Sequence, residues 1–174
     1  MTTELSPGKL YQQQLLDRLG DEDPVLVQAR TPDLVRQLVS DAGQHLRTRP
    51  APGEFSVAEV VGHMVDAEIV SATRYRWILA EDQPALPGYE QDDWVRVSDY
   101  AGADPGQLVE AFSALRKLNL ALWQRTPASD RGRIGAHSER GPESYELTFR
   151  LLAGHDLIHL DQGRKALATA EAEG

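Results

Sequence analysis

The sequence predicts an all-α protein, a helical bundle with short helices toward the N-terminus. Apolar residues recur at helical spacing through its long segments. Capping residues and prolines mark the helix starts. No segment keeps an apolar/polar alternation bounded by turns, as a half-buried strand would. The chain has 174 residues and 41% hydrophobic content, enough for one domain with a sizeable core.

A first helix is expected near residues 8–19. Asp23-Pro24 and Thr31-Pro32 each set a capping residue before a proline at the first helical position. They predict two short helices, 24–29 and 32–46, the second with Leu34, Val35, Leu38 and Val39 on one face. "PAPGEFSVAEV" then breaks the chain and restarts it. Ser56 and Glu59 form an S-x-x-E capping box. The helix it opens runs from Val57 to about Ala80, with Val57, Val60, Val61, Met64, Ala67, Ser71 and Ile78 inward. "EDQPALPGYEQDDW" is a loop, punctuated by Pro84, Pro87 and Gly88. Asp104-Pro105 opens a helix to about Arg125, whose buried face is Leu108, Ala111, Phe112, Leu115, Leu118 and Leu122. "TPASDRGRIGAHSERGPES" is a second long loop, and Ser144 caps a last helix over 145–168. Both long loops suit crossovers rather than tight hairpins.

Composition excludes several functions. The net charge is −9, and the 18 basic residues are scattered, with "RYR" at 74–76 and "RGR" at 131–133 as solvated exceptions. That disfavours a nucleic-acid partner, whose phosphates need clustered Lys and Arg. No run reaches the roughly 18 apolar residues of a membrane span. "MTTELSPGKLYQQQ" has no apolar core of a signal peptide, so a cytoplasmic location and no membrane partner are expected. There is no cysteine, so a metal site must draw on His, Asp or Glu.

"GHDLIHLDQG" (154–163) carries the chemistry. His155 and His159 are spaced i, i+4, so on a helix one stands above the other. Their stripe also holds Leu152, Gln162 and Ala166, which turns the pair toward the apolar face. His63 sits the same way on the earlier long helix, between Val60 and Ala67 and beside Met64. A lone inward histidine is an ordinary core residue, but three unpartnered imidazoles would cost several kcal/mol to bury. A shared divalent metal removes that cost. Three nitrogen ligands with no evident fourth leave coordination positions open, as catalytic sites do, and zinc or nickel suits imidazole.

Other residues are weaker candidates. "HDLIH" invites comparison with H-E-x-x-H of zinc peptidases, with Asp156 as the base. Aspartate is a methylene shorter, and no further ligand follows at peptidase spacing. Asp156 therefore reads better as orienting an imidazole or facing solvent. Asp66, three residues after His63, is a candidate to hold the second nitrogen of that ring; a solvated helix face is the competing reading, also for Glu68. Glu59 is explained by its cap. His137 reads as an exposed loop histidine or as part of a pocket mouth, and His45 as structural or surface. Trp77, Trp94 and Trp123 read as core or loop packing, with Trp94 and Tyr89 as candidates to cover a site.

These residues resemble the DinB/YfiT-like superfamily of metal-binding four-helix bundles, over about residues 31 to 168. The resemblance lies in "RPAPGEFSVAEVVGHMVDAE" (49–68), "LPGYEQDDW" (86–94), "HSERGP" (137–142) and "GHDLIHLDQ" (154–162). It implies a four-helix bundle of up-down-down-up topology over 31–170, preceded by an N-terminal helical extension over 1–30, often a homodimer, with a divalent metal held by His63, His155 and His159. Relatives include S-transferases that use a low-molecular-weight thiol such as bacillithiol or mycothiol, a maleylpyruvate isomerase that uses mycothiol, and proteins suspected to be metal-dependent hydrolases. A small-molecule substrate is expected in each case, and Arg74, Arg76 or Arg140 is a candidate to meet an anionic one. The remaining alternative is a non-catalytic metal-binding stress-response or interaction protein.

Overall fold

The computed structural model describes residues 5–173, which fold as six helices and one small sheet. The helices are α1 (Pro7–Leu19), α2 (Pro24–Ala42), α3 (Val57–Ala80), α4 (Gln91–Val97), α5 (Pro105–Arg125) and α6 (Tyr145–Glu173). Four of the five expected caps are in place; Thr31 lies inside α2, where its hydroxyl donates to Val27 O. The Ser56 hydroxyl accepts from Glu59 N while the Glu59 carboxylate accepts from Ser56 N. Asp23 and Asp104 accept from the first turns of α2 and α5, and Ser144 from Leu147 N.

α2, α3, α5 and α6 form the bundle, and the core clusters give their directions. The N-terminal parts of α3 (Val60, Met64) and α5 (Leu108, Phe112) share a cluster with Val35 and with Leu160 of α6. The C-terminal parts (Tyr75, Ile78 and Trp123) share another with Tyr145 and Phe149 at the start of α6. So α3 and α5 run parallel, and α6 runs against both. Gln28 donates to Phe149 O and Leu38 packs with Ala166, so α2 runs with α6. The topology is up-down-down-up, and the parallel pair requires the long crossover between α3 and α5.

Four expectations are corrected. The helices expected over 24–29 and 32–46 are one helix, and Pro32 lies inside it. An internal proline has no N–H for the carbonyl four residues back, here Gln28 O. Arg116 Nη1 donates to that oxygen at 2.9 Å, which removes the reason to break. The buried face of α5 is rotated from the expected one. It carries Arg116, Asn119 and Trp123, while Leu118 is 48% exposed. Polar residues could be buried there because they find partners. The "QDDW" end of the first loop is the start of α4, whose Val95 joins the core. Finally, the two loops contain strands β1 (Ala85–Leu86), β2 (Ile134–His137) and β3 (Gly141–Ser144), in that order across the sheet. β1 pairs parallel with β2, and β2 antiparallel with β3. Strands of two and four residues are too short to show periodicity.

Arg116 is the hub of the interior. It is buried, donates through Nε to Glu68 on α3 at 2.7 Å, and holds Asp156 on α6 through Nη1 (2.6 Å) and Nη2 (2.9 Å). Asn119 also donates to Glu68, at 2.8 Å. With Gln28 O on α2, one guanidinium ties α5 to the other three bundle helices.

α1 lies across α6. The fit depends on Gly154, where a Cβ would meet Leu15 O at 2.0 Å. Gln12 of α1 donates to the buried Glu143 of β3 at 2.9 Å, which ties the helix to the sheet. Among the described residues no helix is long and apolar enough to cross a membrane.

Replacing Arg116 by Met would leave two buried carboxylates unpaired. It should cost about 3–5 kcal/mol in urea unfolding with an unchanged m-value. Adding Glu68→Gln and Asp156→Asn should recover part of the loss. A change in Arg116→Met no larger than the roughly 0.5 kcal/mol of an ordinary surface substitution would contradict the hub.

Candidate metal centre

His63 lies in the second turn of α3, and His155 and His159 lie mid-way along the antiparallel α6. The i, i+4 spacing stacks the α6 pair on the face that packs against α3. His63 Nε2 is 3.0 Å from His155 Nε2 and 3.2 Å from His159 Nε2. One ligand atom from each ring falls within 4.8 Å of the others, and all three residues are buried. Burial holds His63 down at about 3 and His159 at about 4, and pushes His155 well below the ordinary histidine value. The rings are therefore neutral at pH 7, with lone pairs available.

The donor set fits a divalent metal. Ligands about 2.0–2.1 Å from a tetrahedral ion stand about 3.3 Å from one another, close to the observed spacings. The proton bookkeeping agrees. Gln162 Oε1 is 2.7 Å from His159 Nδ1, so Nδ1 carries the hydrogen and Nε2 keeps its lone pair. Gln162 was visible in the sequence as part of the histidine stripe, three residues after His159, but without a role.

The two aspartate candidates lie elsewhere. Asp156 points away from its histidine neighbours, into the Arg116 pair. Asp66 accepts from Tyr100 Oη at 2.6 Å, and the expected bond to His63 is not made; His63 Nδ1 and Asp66 Oδ2 are both buried without a partner. Tyr100 reaches Asp66 because it packs over Gly62, where a Cβ would meet its ring at 2.1 Å.

The three imidazoles line a cavity of about 450 Å³. One wall is the continuing face of α3, with Ala67, Val70, Ser71 and Arg74 at successive turns after His63. α6 supplies Leu151, Leu152 and Ile158, and α1 supplies Tyr11 and Leu15. The chain from Gly88 to Gln91 and the β2–β3 hairpin form the mouth. Tyr89 lines the cavity with its ring centroid 6.5 Å from that of His63, and Trp94 packs against Tyr89 at 4.6 Å without lining the cavity itself. His137 is not an exposed loop residue: strand β2 buries it to 4% exposure, against the same cavity. Trp123 stacks on Phe149 in the core, away from the cavity.

Residues 26–162 match the family model of the DinB superfamily. The chain belongs to that superfamily. A similar protein of Oceanobacillus iheyensis, 25% identical over 74% of this chain and 75% of its own length, is named as a presumed metal-dependent hydrolase. A Geobacillus thermodenitrificans protein with the same kind of name is 35% identical, over only 39% of each chain. Thus the chain spans about two fifths of the length of the Geobacillus protein. Among solved structures, YfiT from Bacillus subtilis shares the fold with a TM-score of 0.76 at 23% identity, over 82% of this chain and 83% of that one. It is described as a probable metal-dependent hydrolase with an unusual four-helix bundle topology.

Gln162→Leu should weaken metal binding by about tenfold or more, because His159 loses the partner that fixes its tautomer. Competition against a chromogenic chelator measures this. An unchanged affinity would mean that Gln162 does not orient the ring.

Proposed function

We propose that the protein is a metal-dependent hydrolase of a small molecule, with a divalent metal, zinc or nickel, held by His63, His155 and His159. The observation that carries this is the convergence of three neutral imidazole nitrogens at the floor of a ligand-sized cavity. Three protein ligands leave a position for substrate or water, whereas structural sites are closed by four. The metal would supply Lewis acidity and lower the pKa of water it holds.

The chain's own residues prepare that chemistry. Gln162 holds the proton of His159 on the nitrogen that faces away from the site. The apolar wall of Leu15, Val70, Leu151 and Ile158 thins bulk water around the substrate. Burial raises the Tyr89 hydroxyl above its ordinary range, so it stays a hydrogen-bond donor at the mouth. Asp156 and Glu68, bound to Arg116, act behind the histidines as positioning residues.

The same open position would accept the sulfur of a low-molecular-weight thiol, which is the transferase reading. A panel of carboxylic esters and amides, with and without added thiol, separates the two. The zinc- or nickel-loaded protein should hydrolyse a subset without thiol, and His63→Ala should fall to background. Turnover that requires the thiol supports the transferase reading instead. A blank panel in both conditions, with metal bound, supports a non-catalytic metal protein.

A further inference from the structure

Two arginines are buried among the described residues, and they are treated oppositely. Arg116 has two carboxylates and a carbonyl. Arg74, 8% exposed, has a single neutral acceptor, Pro87 O at 2.6 Å. Its buried Nε donates to nothing, and among the described residues no carboxylate pairs with it. The nearby Arg140 is not in this position, because it pairs with the fully buried Glu143. A buried cation without a counter-charge costs several kcal/mol, a cost that a bound anion cancels. Burial, and then the Arg140 charge, lowers the Arg74 pKa, and the more distant Glu143 and Glu139 carboxylates offset this only in part.

A second orphan donor lies in the same cavity. Glu139 N donates to His137 Nδ1 at 3.2 Å, so the proton of the neutral ring is on Nε2. That Nε2 is buried and has no partner. Both residues line the cavity that the metal-binding histidines floor. Arg74 is eleven residues after His63 on the same face of α3, about 16 Å along the axis.

We propose that Arg74 and His137 form a carboxylate-binding subsite, so that the substrate is a small monocarboxylate with an apolar body. The guanidinium fork matches a carboxylate, and His137 Nε2–H adds a third donor. The exposed Glu139 carboxylate at the mouth attracts Arg74 without pairing with it, so the guanidinium keeps room for one carboxylate. Apolar side chains between the subsite and the histidines (Ala67, Val70, Leu152) suit an uncharged body between the acid group and the reacting bond. The role of substrate rests on the hydrolase reading; the binding site itself does not.

The test uses the full chain, metal-loaded and metal-stripped, with benzoate and its neutral counterpart benzamide as probes. Benzoate should bind at least about tenfold tighter than benzamide in both forms, as expected for a charge-assisted contact. It should also shift the His137 ring resonance in a histidine carbon–proton spectrum. Arg74→Gln should bring benzoate down to the benzamide level and leave benzamide binding and metal content unchanged. Equal affinities in the wild type, or a His137 resonance that does not move, would overturn the subsite. So would benzoate binding that disappears with the metal but survives Arg74→Gln, which places the carboxylate on the ion. Should Arg74→Gln not fold, the wild-type benzoate preference and the same titration of His137→Phe decide. A blank hydrolysis panel beside an intact benzoate preference sinks the hydrolase reading alone.

Discussion

A single buried guanidinium sets the register of this bundle. Arg116 on α5 bonds to Gln28 O on α2, Glu68 on α3 and Asp156 on α6. Each bond is charge-assisted and shielded from water, so a slip of α3 or α6 would leave a buried charge unpaired and a slip of α2 would strand Gln28 O. Glu68 is five residues from His63, and Asp156 is the neighbour of His155. The clamp that aligns α3 with α6 therefore also aligns the two halves of the histidine site. It further allows Pro32 to remain inside α2, since the carbonyl that the proline strands is the one Arg116 takes.

The interior is divided by charge. On the Arg116 side, two carboxylates and a cation are satisfied within the protein. On the cavity side, three neutral imidazoles and an unpaired arginine are left with capacity that the protein does not use. Two donors that line the cavity, Arg74 Nε and His137 Nε2, are buried without a partner. Ion pairs met within the protein specify a fold, while the Arg74 and His137 donors and the converging imidazole Nε2 atoms keep capacity that a ligand and a metal would use. α1 belongs to the same division, since it closes the cavity with Tyr11 and Leu15 and reaches Glu143 through Gln12.

Much of this was legible in the sequence. The bundle, its caps and the histidine triplet follow from residues whose signal is local: proline after aspartate, serine before glutamate, and histidines at helical spacing on apolar faces. What stayed hidden depends on partners distant in the chain. Arg116 continues the Leu108–Phe112 face, yet a charged residue reads as solvent-facing until Glu68 and Asp156 are known to meet it. His137 read as a loop residue because the strand that buries it pairs with a two-residue segment some fifty positions earlier. Arg74 belongs to an apparently solvated "RYR", and its lack of a counter-charge is a fact about the fold. Asp156 was weighed beside the histidines on sequence adjacency, but neighbouring helix residues point about 100° apart.

The central claim is that the three histidines hold one metal. Elemental analysis of the tag-free protein, loaded with zinc, nickel or manganese and then desalted, tests it beside His155→Ala. The account predicts about one ion per chain in the wild type, as a preformed site binds it, and loss of that ion in the variant. A wild type that remains metal-free after all three incubations, or a variant that keeps its ion, would contradict it.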